Sequence, residues 1–287
     1  MIYFSFIIPH KNTPDLLQKC LDSIPRRDDV QIIVVDDNSD VEKVDFMNFP
    51  GLNDPSVEVY LTKEGKGAGY ARNVGLEHAI GKWLVFADAD DFFTEDIIRA
   101  LDEYRESEYD IVFLKGNCVR IPGGEPGHRG ELMNNAVEKA IATGDFSDVL
   151  LLTAPVRRFI RRSLIVENSI CFREVRWAND VVFIAKVVSK SSKYTASPLS
   201  VYCITESSDS LVYCRSLASQ VTRFKEEGKG VRIYREKFPA SRMSYWYFFT
   251  WMGVYKINKV RALLLLPAAV FNNGFSFIRE AFKAKFS

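Results

Sequence analysis

The stretch "WLVFADADDFF", Trp83–Phe93, runs a short apolar segment straight into three carboxylates. Asp88, Asp90 and Asp91 repel one another, so a fold that gathers them needs a cation or a polar ligand to offset the repulsion; otherwise they form an acidic turn left in water. The surrounding sequence decides where the cluster sits. "YFSFII" (Tyr3–Ile8) reads as a first strand ended by Pro9. Thr13 and Pro14 then open a helix with Leu16, Leu17, Cys20, Leu21 and Ile24 on one face. "QIIVV" (Gln31–Val35) is a continuous apolar strand of the kind buried on both faces, and "VEVYL" (Val57–Leu61) is a third. "GKGAGYARNVGLEHAIG" begins as a glycine loop and becomes a helix of small residues; "WLVFA" is the next strand, and Glu95–Glu106 the helix after the acids. This alternation predicts an α/β fold with a mostly parallel sheet and helices on both faces. In such sheets ligands bind beyond the carboxyl ends of the strands, where both "DDNSD" (Asp36–Asp40) and "DADD" fall.

Composition sets the outer limits. The 287 residues are ordinary in apolar and charged content, as for a globular protein with a substantial core. Net charge is +1, but Leu211–Ser287 carries +10, leaving −9 for the first 210 residues. An acidic body with a basic extension implies different partners for the two parts, and nothing points to nucleic acid. The five cysteines are scattered without a C-x-x-C pair, which suits a reduced, cytoplasmic setting, and three distant histidines argue against a histidine metal site. The N-terminus lacks a basic n-region and is read as a strand, not a signal peptide. No segment has 18 uninterrupted apolar residues.

Two carboxylate clusters projecting into one crevice suit a hard divalent ion, Mn²⁺ or Mg²⁺, completed by water and phosphate oxygens. A calcium loop of the EF-hand type is excluded, because Phe92 and Phe93 occupy its fifth and sixth positions. No G-x-G-x-x-G follows the first strand, so a dinucleotide fingerprint is absent.

Four elements in order, "FIIPHKN", "VVDDNSD", "GAGYARNVGLEHAIGKWLVFADADD" and "WANDVVF", resemble the family 2 glycosyltransferases of the GT-A fold, over about Phe4 to Phe183. The resemblance implies a Rossmann-like domain over residues 1–205, with a nucleotide-sugar-binding half (1–106) and an acceptor half (107–205). A basic, aromatic, mainly helical extension (206–287) follows. It implies a nucleotide-sugar donor, UDP-linked in the family's commonest case, and a saccharide or lipid-linked saccharide acceptor. Asp37 is then expected to hydrogen-bond the base, with Pro9, Lys11 and Asn12 lining that pocket. Asp36 is expected to do no more than cap a turn. Asp88-Ala89-Asp90 matches the family's D-x-D motif, with Asp90 as metal ligand and Asp88 on the ribose or the metal. Asp91 is left to support these carboxylates or to cap the next helix. Arg72 is expected on the diphosphate or ribose, with a surface ion pair as the alternative, while Asn73 and Gly75 fix local geometry.

Asp180 matches the catalytic base, which takes the acceptor hydroxyl proton in a single inverting displacement. The family usually has Glu-Asp where this chain has Asn179-Asp180, which leaves the acceptor contact of the usual Glu open. Trp177 either stacks on a sugar or belongs to the core. Arg157, Arg158, Arg161 and Arg162 of "RRFIRR" have helical spacing, for a solvated face or for phosphate of a lipid-linked acceptor. The C-terminal apolar run Ala262–Phe271, broken by Pro267, suits an interfacial helix, so peripheral contact with the inner face of the plasma membrane through 242–287 is one expectation. A helical cap on the body or a homodimer contact is the other. Two further functions compete: a nucleotidyltransferase, which has no place for the "WAND" motif, and an inactive nucleotide-sugar-binding or scaffold subunit, suggested by Asn179.

Overall fold

A computed structural model of the chain describes residues 1–207, 213–238 and 243–273. The first part alternates β1 (Phe4–His10), α1 (Pro14–Asp22), β2 (Val30–Asp37), β3 (Val57–Thr62), α2 (Ala68–His78), β4 (Trp83–Phe86), β5 (Phe92–Phe93) and α3 (Asp96–Tyr104). There follow β6 (Ile111–Arg120), α4 (Glu131–Thr143), α5 (Ser147–Leu150), β7 (Arg158–Arg161), α6 (Arg162–Glu167), α7 (Val181–Lys190) and β8 (Tyr194–Glu206). The extension contributes α8 (Leu217–Tyr234), α9 (Met243–Ile257) and α10 (Lys259–Asn273).

The strands form one sheet in the order β3-β2-β1-β4-β7-β6-β8-β5. β1 runs parallel to β2 and β4, β2 to β3, and β6 to β8. β7 is antiparallel to β4 and β6, and β5 to β8, so the sheet is mixed, with a parallel half that carries both acidic clusters. Alternation along the strands builds two cores. Phe4, Phe6, Ile32, Val34 and Val85 face α1 and α3, whereas Ile7, Ile33, Val35, Leu84 and Phe86 face α2, α4 and α7. Three layers result, helices on either side of the sheet.

β1 does not end at Pro9. The Ala87 N–H donates to the Ile7 carbonyl (3.2 Å), so the odd-numbered residues of β1 address β4. Pairing with β4 stops at Ile7, while pairing with β2 continues to His10. Pro9 therefore sits where no N–H is needed, and the strand runs through it. "RRFIRR" is not a helix either. It forms β7 and the start of α6, because β4 and β6 both need a partner strand there. Its arginines are not a solvated face: Arg157 and Arg158 are buried, and Arg161 lies over the Trp83 ring, 4.9 Å from its centroid. Pro267 does not break the last apolar run, since α10 continues on both sides of it.

The extension is helical, as expected, and α8 packs on α7. A Cβ at Gly230 would lie 2.7 Å from Val181 Cγ1, so a glycine there lets the two helices close. The Tyr234 hydroxyl donates to the Leu150 carbonyl (3.0 Å), and Lys237 Nζ to the Val188 carbonyl (2.9 Å). Phe224, Tyr247, Phe248, Trp251, Val254 and Ala262 make a small core of their own among α8, α9 and α10. Glu227 is held under α9, where it accepts from the Thr250 hydroxyl. Burial pushes its carboxyl up to about 7, with Asp180 adding to the rise and Thr250 and Arg223 opposing it. A carboxyl raised in the folded state stabilises the fold while protonated. That contribution is full below the unfolded pKa and lost as pH rises through about 7. Glu227→Gln is therefore expected to melt above the parent protein at pH 8, by about 2–4 °C for each kcal/mol relieved. The two should converge near pH 5 when melting is followed by circular dichroism.

Candidate active site

The carboxyl ends of β1 and β2 form the first wall of a crevice. Asp37, the last residue of β2, is buried. Its Oδ2 accepts from the Gly67 N–H (2.8 Å) and lies 3.5 Å from Lys11 Nζ, which also donates to the Asp37 carbonyl (2.7 Å). Its Oδ1 is buried with no hydrogen-bond partner among the described residues. A buried carboxylate oxygen of this kind is costly unless an N–H or O–H donor meets it. Asp36 is the contrasting case. Its Oδ1 lies 2.7 Å from His10 Nδ1 and accepts from the Ser39 hydroxyl, and its Oδ2 accepts from the Ser39 N–H (2.8 Å). Burial pushes its carboxyl up, but these bonds together outweigh burial and hold it below the usual range. Asn12 is left-handed (φ 61°) and clips the next loop, donating from its N–H to Ser39 Oγ and accepting from the Asp40 N–H. Pro9 is buried within β1, and Lys11 lies at the surface beside Asp37.

The acid cluster links β4 to β5. Oxygens of Asp88, Asp90 and Asp91 lie within 4.8 Å of one another. β8 props this segment from behind. The Asp88 N–H donates to the Tyr202 hydroxyl (2.9 Å), Asp91 Oδ1 accepts from the Thr205 N–H (2.7 Å), and the Thr205 hydroxyl donates to the Asp90 carbonyl. Asp91 thus anchors the loop to β8 and does not cap α3, whose first position follows Glu95. Burial, then Asp88 and Asp90, raise its carboxyl well above the ordinary range. Asp90 is open to solvent on one side, yet desolvation and then Asp88 push it up to about 6. Negative charge is therefore in excess here, and the donor set is all oxygen, which fits a hard divalent cation.

Arg72 joins this wall to the opposite one. Only 6 % exposed, it donates through Nη2 to Asp88 Oδ1 (2.5 Å) and through Nη1 to Asn179 Oδ1 (3.1 Å), with its guanidinium 5.4 Å from the Phe172 ring centroid. The small residues of α2 make this reach feasible. A Cβ at Gly69 would stand 2.1 Å from the Arg173 carbonyl oxygen. Asn73 exchanges two hydrogen bonds with the Phe172 backbone, at 3.1 and 2.7 Å. What the sequence presents as local geometry at Asn73 is thus a fastening between segments 99 positions apart.

Asp180 stands at the N-terminus of α7 but makes no capping hydrogen bond from its side chain. Burial raises its carboxyl, and Asp88 adds to the rise while Arg72 and Arg158 oppose it. A raised carboxylate without a capping bond is a better proton acceptor than an ordinary aspartate. Trp177 is half-buried, with the Arg176 guanidinium 5.1 Å from its ring centroid, and its indole N–H has no partner among the described residues. The structure thus brings Asp88, Arg72, Asn179 and Asp180 to one place. Tyr202 and Thr205 of β8, which fix the acid loop, carry no signal in the sequence, because their bonds cross 114 positions.

The family model "Glycosyl transferase family 2" matches residues 5–165, more than half of the chain. The chain belongs to this family. Among curated members, a poly(ribitol-phosphate) β-glucosyltransferase of Bacillus spizizenii is 29% identical over 202 residues, covering 67% of this chain and 30% of its own length. A GalNAc(5)-diNAcBac-PP-undecaprenol β-1,3-glucosyltransferase of Campylobacter jejuni is 32% identical over 118 residues, 40% of this chain and 38% of its own. The chain thus spans about a third of the length of these family 2 relatives. In fold it is similar to residues 1–349 of Staphylococcus aureus TarS, solved with UDP-GlcNAc: the TM-score is 0.66 at 18% identity, over 94% of this chain and 79% of that one. The likeness takes in the extension as well as the family 2 domain.

Proposed function

We propose that the chain is a metal-dependent inverting glycosyltransferase that moves a sugar from a UDP-linked donor to a hydroxyl of a saccharide or lipid-linked saccharide. The observation that carries this reading is the Arg72 bridge, which ties Asp88 of the D-x-D motif to Asn179, the neighbour of Asp180. Relatives that glycosylate poly(ribitol-phosphate) or an undecaprenol-linked glycan, and a structural neighbour solved with UDP-GlcNAc, support the donor and acceptor classes. Asp37 Oδ1 accepts an N–H of the base, and Lys11, Asn12 and Pro9 shape the wall beside it. Asp90 and Asp88 would hold Mn²⁺ or Mg²⁺, which when bound supplies positive charge to the departing diphosphate. Arg72, its charge shared with Asp88, presents the remaining positive charge at that end. Asp180 takes the proton from the acceptor hydroxyl as its oxygen forms a bond to C1 and the bond from C1 to the diphosphate oxygen breaks. One displacement of this kind inverts the anomeric centre. Trp177 and Asn179 border the acceptor side.

Asp180→Asn is expected to keep UDP-sugar affinity within a few-fold while turnover, read as UDP release with an acceptor extract, falls by roughly 10²–10⁴. Asp90→Ala should fold normally but lose Mn²⁺-dependent UDP binding in calorimetry. Unchanged turnover in the first variant would point to an inactive binding subunit or a base elsewhere. Unchanged Mn²⁺-dependent affinity in the second would remove the metal from Asp90.

α10 supports contact with a membrane surface. No helix among the described residues is long and apolar enough to cross a membrane. α10 instead shows solvent an apolar stripe, Val260, Leu263, Leu264, Pro267, Ala268 and Phe271, at helical spacing. From Met243 to Asn273 the sequence has Lys256, Lys259 and Arg261 and no acidic residue. An apolar face beside cations suits the anionic inner surface of a plasma membrane, each cation contributing on the order of 1 kcal/mol. Arg242 and residues 274–287 of the expected contact region lie outside the described residues. Leu263→Glu with Leu264→Glu should abolish flotation with phosphatidylglycerol vesicles at low salt and leave UDP binding unchanged; equal flotation of variant and parent would rule the stripe out.

A further inference from the structure

The loop 173–179 delivers Asn179 and Asp180 to the crevice. Its neck is closed by the Arg173 N–H, which donates to the Asn179 carbonyl (3.2 Å). The body holds this loop from one side. Gly69 admits the Arg173 carbonyl, Lys66 Nζ lies 3.7 Å from a Glu174 oxygen, and Arg72 donates to Asn179. The extension holds it from the other. Glu226 of α8 is only 3 % exposed, and both its oxygens are engaged. Oε2 accepts from Arg173 Nε (3.2 Å) and Oε1 from Lys229 Nζ (2.6 Å).

Gly230 stands one turn further along α8, on the same face as Glu226. A Cβ there would lie 2.7 Å from Val181 Cγ1. Asp180 therefore lies between two points at which α8 bears on its neighbours: Arg173, bonded to Asn179, before it, and Val181 after it. Tyr234, a further turn along the same face, donates to the Leu150 carbonyl and fixes the far end of the helix. Because the Asp180 side chain makes no capping bond, its place is set by the backbone on either side. The family model ends at residue 165, ahead of the loop and of α8.

We propose that α8 positions the proton acceptor: Glu226, through Arg173, and Gly230, through Val181, hold Asp180 against the Arg72 bridge. This inference rests on the glycosyltransferase reading above and adds to it two positioning residues that lie in the extension. A buried carboxylate shared by two cations makes short, directional bonds, so Arg173 has little freedom to shift. The precision matters, because a base must stand within hydrogen-bond reach of the hydroxyl it deprotonates. Donor binding draws instead on β1, β2 and the acid loop, so loss of the α8 contacts should spare it.

Two variants of the full chain test this. Glu226→Gln keeps the shape and removes the charge. Gly230→Ala keeps α8 helical, alanine being the better helix former, and pushes on Val181. Each is expected to lower turnover, read as UDP release with an acceptor extract, by roughly 10–100-fold, the scale of a base misplaced by about 1 Å. UDP affinity with Mn²⁺ should stay unchanged in calorimetry. Labelling with 5-fluorotryptophan reports on the loop itself. The ¹⁹F resonance of Trp177, assigned with Trp177→Phe, should move in both variants, whereas that of buried Trp83 should not. Arg173→Met should match Glu226→Gln, and the double variant should lose no more than the worse single one, as for one shared interaction. A Trp177 resonance unmoved in both variants, turnover at the parent's level in both, or additive losses in the double variant each overturn the assignment. So does UDP affinity that falls along with turnover, since α8 would then support the fold at large and not the base. If the parent protein releases no UDP from any UDP-sugar, the glycosyltransferase reading fails, while the Trp177 resonance still decides whether α8 sets the loop.

Discussion

The shared guanidinium of Arg72 is the contact on which the rest of the crevice depends. Asp88 lies just beyond β4 and Asn179 just before α7, and Arg72 holds both from a buried position on α2. Buried hydrogen bonds from a charged group are stronger and more directional than neutral ones, so the geometry is stiff. The reach of Arg72 depends in turn on glycine. At Gly69 any side chain would collide with the Arg173 backbone, and at Gly75 a Cβ would lie 2.5 Å from Ile7 Cγ2. The string "GAGYARNVG" is therefore a packing surface on two sides.

The parallel half of the sheet and its crevice were legible in the sequence because their signals are local. Continuous apolar runs such as Gln31–Val35 mark strands covered on both faces, and the acids that follow mark their carboxyl ends. The antiparallel half was not legible in the same way. The helical spacing of arginines in "RRFIRR" describes four residues of β7 equally well, and only the presence of β4 and β6 on either side chooses the strand. Pro9 misleads for a related reason, since whether a proline ends a strand depends on which neighbour has run out. Tyr202 and Thr205 could not be found at all, because what makes them part of the site is a partner 114 positions away.

The charge division between body and extension was equally visible, but its meaning changes in the folded chain. α8 closes on α7 at Gly230, its last residue Tyr234 bonds Leu150 of α5, Lys237 just beyond it bonds Val188 of α7, and Arg173 of the loop before α7 meets Glu226 of α8 at 3.2 Å. The extension thus packs on the body at the helix that follows Asp180, and Val181, Arg223 and Lys256 line one cavity between the two.

Asn179 alters the electrostatics of the crevice more than its shape. A glutamate at that position, the family's usual residue, would place a second carboxylate on Arg72 opposite Asp88. The trio of side chains would then carry a net negative charge, and the guanidinium would be fully engaged by its two anions. With Asn179 the trio is neutral. Its amide oxygen still fixes the orientation of Arg72 at 3.1 Å but withdraws little of the positive charge. More of that charge remains uncompensated, and less repulsion opposes ionisation of Asp180 next to it. Asn179 therefore keeps the hydrogen bond to Arg72 while leaving the trio neutral, so the bridge between the segments survives the departure from Glu-Asp.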